Sequence, residues 1–153
     1  PAARQDDMAL NTEHLRTTLR ALEAAVERFR HAESVGNELE REILRMAIVK
    51  GFELSQEVCF KLLKRRLKEY GHTARQIESL LFKDVLRLAA RHGLLTLEET
   101  ERWFAYRDNR NDTAHDYGEA FVAETLALIP DFLRDARALE SRLTTEPGED
   151  RTP

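Results

Sequence analysis

Cysteine is nearly missing from this chain. Cys59 stands alone in 153 residues, which excludes an internal disulfide. Set between Val58 and Phe60, it reads as a small core residue of a protein kept in a reducing compartment. Glycine (6) and proline (4) are scarce, which argues against a strand-and-turn protein and for long helices. No apolar run is long enough to cross a bilayer, and charges occupy the N-terminal stretch where a signal peptide carries its apolar segment. No membrane partner is expected, and a cytoplasmic location is. His14, His31, His72, His92 and His115 show no paired ligand spacing, so no metal site or cofactor is expected. The sequence has no glycine-rich phosphate loop, no Gly-x-Ser-x-Gly elbow and no internal repeat, which leaves P-loop nucleotide hydrolysis and acyl hydrolysis unsupported. What is present is charge, 34% of residues against 42% hydrophobic, in proportions that suit one domain with a sizeable core. The net charge of -4 gives no global attraction to nucleic acid, so any RNA contact must come from a local basic patch.

The apolar residues recur at helical spacing along most of the chain, and the expected organisation is a flexible segment 1–8, one helical domain 9–143 and a disordered tail 144–153. Leu15, Leu19, Leu22, Val26 and Phe29 line one face of a first helix that ends near Ser34-Val35-Gly36-Asn37. A second helix, roughly Glu38 to Tyr70, carries two apolar stripes. One is Leu44, Ile48, Gly51, Leu54, Val58 and Leu62; the other is Val49, Phe52, Phe60, Leu63, Leu67 and Tyr70. A helix apolar on two sides is central in its bundle or shared with a second subunit. Between the stripes runs the charged line Lys50, Glu53, Glu57, Lys61 and Lys64, which is either a solvated face or, through Glu53 or Glu57, the support of a catalytic or anion-binding group. Lys61, Lys64, Arg65, Arg66 and Lys68 form the densest basic cluster. They read equally as an RNA footprint, with Lys64 and Arg65 binding substrate, or as cations that complement the helix C-terminal dipole.

Gly71 is placed to end this helix in a left-handed cap. An irregular piece, His72 to Glu78, leads to a third helix that Ser79 caps, with Leu81, Val85 and Leu88 on its inner face and Gly93 as its stop. Thr96 and Glu99 have capping-box spacing, so a fourth helix begins there and carries Trp103, Tyr106 and Arg110 on one side. The aromatic pair reads first as core packing. Asp116 and Glu119 mark the start of the last helix at Tyr117 or shortly after, with Val122, Leu126, Ile129, Leu133, Ala136, Leu139 and Leu143 on its apolar face. Pro130 is expected to kink or restart it.

The polar run Arg107-Asp108-Asn109-Arg110-Asn111-Asp112-Thr113-Ala114-His115-Asp116-Tyr117 lies between these last two helices. On one continuous helix Arg110 and His115 would diverge by about 140°, so a break between them is required if they act together. With that break, an always-charged guanidinium at the end of one helix and an imidazole at the N-terminal mouth of the next suit a phosphate or RNA backbone. The alternative is an inter-helix loop whose polar residues cap and solvate.

At Arg110-Asn111-Asp112-Thr113-Ala114-His115-Asp116-Tyr117 the sequence resembles the Arg-x4-His-x-Tyr motif of the HEPN superfamily. The branch it is most similar to is the nucleotidyltransferase substrate-binding proteins, encoded beside a minimal nucleotidyltransferase. Lys50-Gly51-Phe52-Glu53-Leu54-Ser55-Gln56-Glu57 with Lys61 resembles that family's second helix, and Asp84 to Leu95 its third. The likeness covers roughly Leu15 to Leu143, and it departs at Val58-Cys59-Phe60, where the family often has tryptophan or alanine. The resemblance implies an all-α, up-and-down four- or five-helix bundle that forms a homodimer and brings two motifs to one cleft. It implies a metal-independent endoribonuclease toxin with Arg110 and His115 as catalytic residues. His115 would transfer protons, Arg110 would stabilise the phosphorane, and Asn111 would hold a phosphate oxygen or the His115 ring. The partner nucleotidyltransferase would silence the toxin by adenylylating Tyr117. The alternative it implies is a non-catalytic module that carries a nucleotide or substrate to the transferase. RNA or nucleotide is the expected ligand, and no DNA partner is expected.

Overall fold

The computed structural model of the chain describes residues 10–112 and 118–145, the side chains of Asn111 and Asp112 excepted. Six helices occupy the described residues: α1 (Glu13–Val35), α2 (Glu38–Glu69), α3 (Ala74–Glu78), α4 (Phe82–Arg91), α5 (Leu97–Asp112) and α6 (Glu119–Thr144). None of them is long and apolar enough to cross a membrane. The first nine residues and everything past Thr145 lie outside the described residues, as do the flexible segment and nearly all of the tail expected there.

The α1–α2 hairpin is the scaffold. Leu15, Leu19, Leu22, Val26 and Phe29 are all buried, as their spacing implies. Gly36 closes α1 at φ +72, a conformation that a side chain disfavours. That turn brings the Asn37 N–H to the Ala32 carbonyl at 2.9 Å. The Asn37 side chain then accepts from the Glu40 N–H and so starts α2. α2 is the central element. It packs along α1 and also meets α3, α4 and α6, which is why both of its apolar sides are needed: Leu44, Ile48 and Leu62 are buried, and so are Val49, Phe52, Leu63 and Leu67.

α5 lies between α4 and α6. Its start is the Thr96–Glu99 box, in which the Glu99 N–H donates to Thr96 Oγ1 at 3.0 Å and the Thr96 N–H to Glu99 Oε1 at 3.2 Å. Trp103 and Tyr106 are core residues, each 1% exposed. Edge-to-face contacts join Phe132 to Phe52, Trp103 and Tyr106. A polar node built on the buried Asp135 adjoins this cluster. Asp135 of α6 accepts two hydrogen bonds from Arg102, both at 2.8 Å, and one from the Tyr106 hydroxyl at 2.5 Å. Burial, and then the hydrogen bond to Asp135, push the Tyr106 phenol well above its ordinary range. Burial likewise pushes the Cys59 thiol up, as suits an inert core residue.

Four local expectations need correction. Residues 74–78 are a short helix rather than an irregular piece, capped by a Thr73–Gln76 box. Ser79 closes that helix instead of opening the next one, and α4 starts after Leu81 with no side-chain cap. Its inner face is consequently Phe82, Val85, Leu86 and Ala89, while Leu81 is 75% exposed. Of the kink or restart expected at Pro130, the restart does not occur, and α6 runs on through the proline. The proline sits on the exposed side, and burial of Ile129, Phe132, Leu133 and Ala136 around it outweighs the lost backbone bond.

The Tyr106–Asp135 bond gives a pH-dependent prediction. The unfolded phenol ionises near pH 10, whereas the folded one stays neutral to higher pH. Its contribution is therefore full below about pH 10 and is lost as pH rises further. Tyr106→Phe should be less stable than wild type by about 1–2 kcal/mol at pH 8 in urea unfolding, with the gap narrowing above pH 10. A gap that stays constant to pH 11 would contradict this account.

Candidate functional site

Arg110 occupies the last turn of α5, facing the charged line of α2. Its guanidinium is ion-paired with Glu57, and Glu53 lies 3.8 Å away. Arg107, one turn earlier, reaches the same Glu57 carboxylate at 3.7 Å. Two arginines spaced by three thus meet two glutamates spaced by four, which is the register that adjacent helix faces allow. Glu53 also receives Lys50 at 3.6 Å. All four of the α5 and α2 partners are partly shielded: the arginines are 19–23% exposed and the glutamates 29–35%. A carboxylate pair in that setting holds a guanidinium in a fixed direction.

Gln56 sets the depth at which the two helices meet. It is fully buried and donates from Nε2 to the Tyr106 carbonyl at 3.3 Å. Lying between Glu53 and Glu57 in sequence, it fixes the last turns of α5 against α2. On the other side Thr125 of α6 donates to the buried Asn109 at 3.3 Å. The last turn of α5 is held from both flanks, and Arg110 with it. The start of α6 is tied to α2 as well, since Glu119 pairs with Arg45 at 2.7 Å and Arg41 at 3.8 Å. A carboxylate in that first turn also complements the helix dipole.

His115 and Tyr117 lie outside the described residues, as does the side chain of Asn111. They belong to the run that joins the end of α5 to the start of α6, and Asp116, the expected cap, lies in the same run. Arg110 sits in the last helical turn, as its spacing implied. The last helix starts at Glu119, two residues past Tyr117.

The basic cluster at the end of α2 is divided rather than pooled. Arg66 is buried, donating to the Leu143 carbonyl and pairing with Glu69 at 3.4 Å. Lys64 and Lys68 both bind Glu78 of α3, at 3.1 and 2.9 Å. Hydrogen bonds from Lys68 and then Lys64 hold the Glu78 carboxyl below its ordinary range. Lys64 also rests over the Phe60 ring, while Lys61 and Arg65 are exposed. The fold pairs two histidines whose sequence spacing gave no hint of it. His72 and His92 approach Nε2 to Nε2 at 2.9 Å, with Tyr70 stacked on His92. Among the described residues no three His, Cys, Asp or Glu side chains converge as a metal site would require.

Arg107 and Asp135 were missed as site and core residues. Arg107 could have been found from its i−3 relation to Arg110. Asp135 could not, because its burial depends on Arg102 and Tyr106 arriving from another helix.

The family model described as nucleotidyltransferase substrate binding protein like matches residues 10–145. The chain belongs to that family. Among solved structures it is similar to a Haemophilus influenzae protein described as showing the fold of a substrate binding domain of a nucleotidyltransferase. The TM-score is 0.77 at 30% identity, over 87% of this chain and 98% of that one. A curated relative from the same organism, probable ribonuclease HepT, is 36% identical over 95 residues, or 62% of this chain and 64% of that protein. A tri-AMPylated Shewanella oneidensis HEPN toxin in complex with an MNT antitoxin shares the fold, with TM-score 0.61 at 14% identity over 86% of this chain and 96% of that one. The expected all-α, HEPN-like architecture is therefore the observed one.

The site separates a structural pin from a surface pair, which stability can test. Gln56→Ala should lower stability by about 2–3 kcal/mol, because it empties a buried position and removes the hydrogen bond to the Tyr106 carbonyl. Glu57→Gln should stay within about 1 kcal/mol of wild type in the same urea titration. Equal losses would mean that Glu57 is as structural as Gln56.

Proposed function

We propose that this family member is a metal-independent endoribonuclease toxin. Its activity rests on Arg110 and His115, and its partner is a minimal nucleotidyltransferase encoded by the adjacent gene. The observation that carries the reading is Arg110, held at the end of α5 by Glu57 and Glu53 with both flanks of the helix fixed. RNA cleavage without a metal needs a group that removes the 2′-hydroxyl proton, a proton for the leaving oxygen and a positive charge for the phosphorane. His115 supplies the proton transfers, a role that suits an imidazole because its ordinary pKa lies near neutrality. Arg110 supplies the charge, oriented by the two glutamates, and Asn111 holds a phosphate oxygen or the imidazole. Lys64 and Arg65 are candidates for contacts to RNA further along α2. The names of the HepT relative and of the HEPN toxin complex support this reading.

In the same proposal the transferase silences the toxin at Tyr117. The phenol oxygen attacks the α-phosphorus of ATP, pyrophosphate leaves and the phenolic proton passes to solvent. The added AMP brings a negative charge and bulk beside Arg110. The second reading, a non-catalytic subunit that presents substrate to the transferase, is favoured by the family's own description and by that of the Haemophilus structure. Both readings place an anion at Arg110, and they differ in whether a bond in RNA breaks.

We also infer a homodimer. The N-terminal half of α2 exposes Leu39, Ile43 and Met46, each more than half accessible and spaced by four and three. Such a stripe on a central helix suits a second copy.

Expression of the wild-type chain alone should arrest growth and yield cleaved RNA. Arg110→Ala and His115→Ala should each lower the cleavage rate by about 100-fold or more, and AMP found on Tyr117 after incubation with the transferase and ATP should abolish it. Intact RNA together with saturable nucleotide binding would favour the carrier. Light scattering should give twice the chain mass for wild type and a lower mass for Ile43→Glu/Met46→Glu. A monomeric wild type would refute the dimer.

A further inference from the structure

α4 and α5 enclose a second feature that the Arg110 centre does not use. A groove of about 400 Å3 is lined by Leu81, Phe82, Lys83, Asp84, Arg87 and Arg107. Three of its six residues are cations and one is a carboxylate, in a chain whose net charge is -4. This is the kind of local basic patch that an acidic protein needs if it is to hold a nucleic acid strand.

The cations rest on aromatic rings. The Arg107 guanidinium lies 4.3 Å from the centroid of Phe82, and Phe60 stacks beneath that ring at 4.5 Å. Lys83 and Arg87 both lie over Phe104, at 5.5 and 5.2 Å. Ring contacts of this kind hold a charge without neutralising it. The carboxylates in reach are Asp84, 3.0 Å from Arg87, and Asp108, 3.2 Å from Lys83, in pairs roughly half exposed, together with Glu57, 3.7 Å from Arg107. Such surface pairs contribute little and are readily exchanged for a phosphate. Lys83 and Arg87 stand one turn apart on α4 and present two anion contacts in a row. Arg107 is different in kind. A guanidinium is planar and packs on rings; Arg107 already does so on Phe82, and its side chain remains 23% exposed in the groove wall, so its plane suits a nucleobase as well as a phosphate.

Arg107 also joins the two sites, because the Glu57 carboxylate it approaches is the one that holds Arg110. We propose that this groove is a track for the single-stranded RNA that flanks the phosphate at Arg110. Lys83 and Arg87 contact backbone phosphates, and Arg107 stacks a base. The proposal rests on the reading of Arg110 as an RNA site, and it adds a strand direction: away from Arg110, across Phe82, onto α4. An acidic peptide would satisfy the cations but would leave the planar Arg107 face unused, so RNA is the occupant that the groove favours.

The test uses the full chain carrying Arg110→Ala to prevent cleavage, a fluorescein-labelled single-stranded RNA oligonucleotide, and anisotropy measured between about 50 and 200 mM salt. Adding Lys83→Ala/Arg87→Ala should weaken binding by about tenfold and flatten the slope of log K against log salt by about 1.4, the share of two phosphates. Lys83→Arg/Arg87→Lys should restore both. Arg107→Lys keeps the charge and loses the plane, so it should weaken binding with the slope unchanged. Urea unfolding of each variant identifies any that fails to fold, and the charge-preserving pair then carries the comparison. The same affinity and slope after Lys83→Ala/Arg87→Ala would overturn the groove, and so would a labelled acidic peptide whose binding is lost in that variant while RNA binding is unchanged. RNA cleavage by wild type alongside an unaltered slope removes the groove alone. A slope that falls as expected in a chain that never cleaves RNA supports the groove and removes the ribonuclease reading.

Discussion

The proposed function depends on a guanidinium held at the end of a helix by carboxylates from its neighbour. Guanidinium groups stay charged throughout the physiological range, so position and not ionisation determines what Arg110 can do. That position comes from α2, where Glu57 and Glu53 take one side of the charge and the buried Gln56 pins the backbone of α5. The pair is partly shielded from water, which makes the arrangement directional without the cost of full burial.

The core explains why α2 can perform this task. Its apolar sides are buried against α1 on one hand and against α4 and α6 on the other, so the charged line between them has a fixed heading. The Asp135 node does the same for α5, tying Arg102 and Tyr106 to α6. Buried ionic groups of this kind contribute to register more surely than to stability. Here the register they set is the one that brings Arg107 and Arg110 opposite Glu57.

Much of this was legible in the sequence, for identifiable reasons. Long helices announce themselves by period, so α1, α2, α5 and α6 were expected, although Leu54 of the α2 stripe is 42% exposed and the buried Phe132 of α6 was not on the expected face. The Thr96–Glu99 box marked the start of α5, and the Glu53–Glu57 line was recognised as a possible support before its partner was known. Short elements carry too few turns to show a period, so α3 went unseen although its Thr73–Gln76 box was present. The inner face of α4 was shifted because Leu81 was counted into the helix. What single helices cannot reveal is which charged face meets which. The division of the basic cluster between Glu78, Leu143 and solvent, the pairing of His72 with His92, and the Phe82–Arg107 contact all arise from helices distant in sequence. The convergence of His115 with Arg110 falls on residues outside those the structure describes, and it belongs to the proposed function.

The measurement that bears most directly on that convergence is a crystal structure of the wild-type chain with a short 2′-O-methyl RNA, which retains the phosphates and lacks the nucleophilic hydroxyl. The account predicts one phosphate within hydrogen-bond reach of both the Arg110 guanidinium and the His115 ring, with Glu57 still against Arg110. A phosphate bound elsewhere while Arg110 and His115 face apart in both the subunit and its assembly would contradict it.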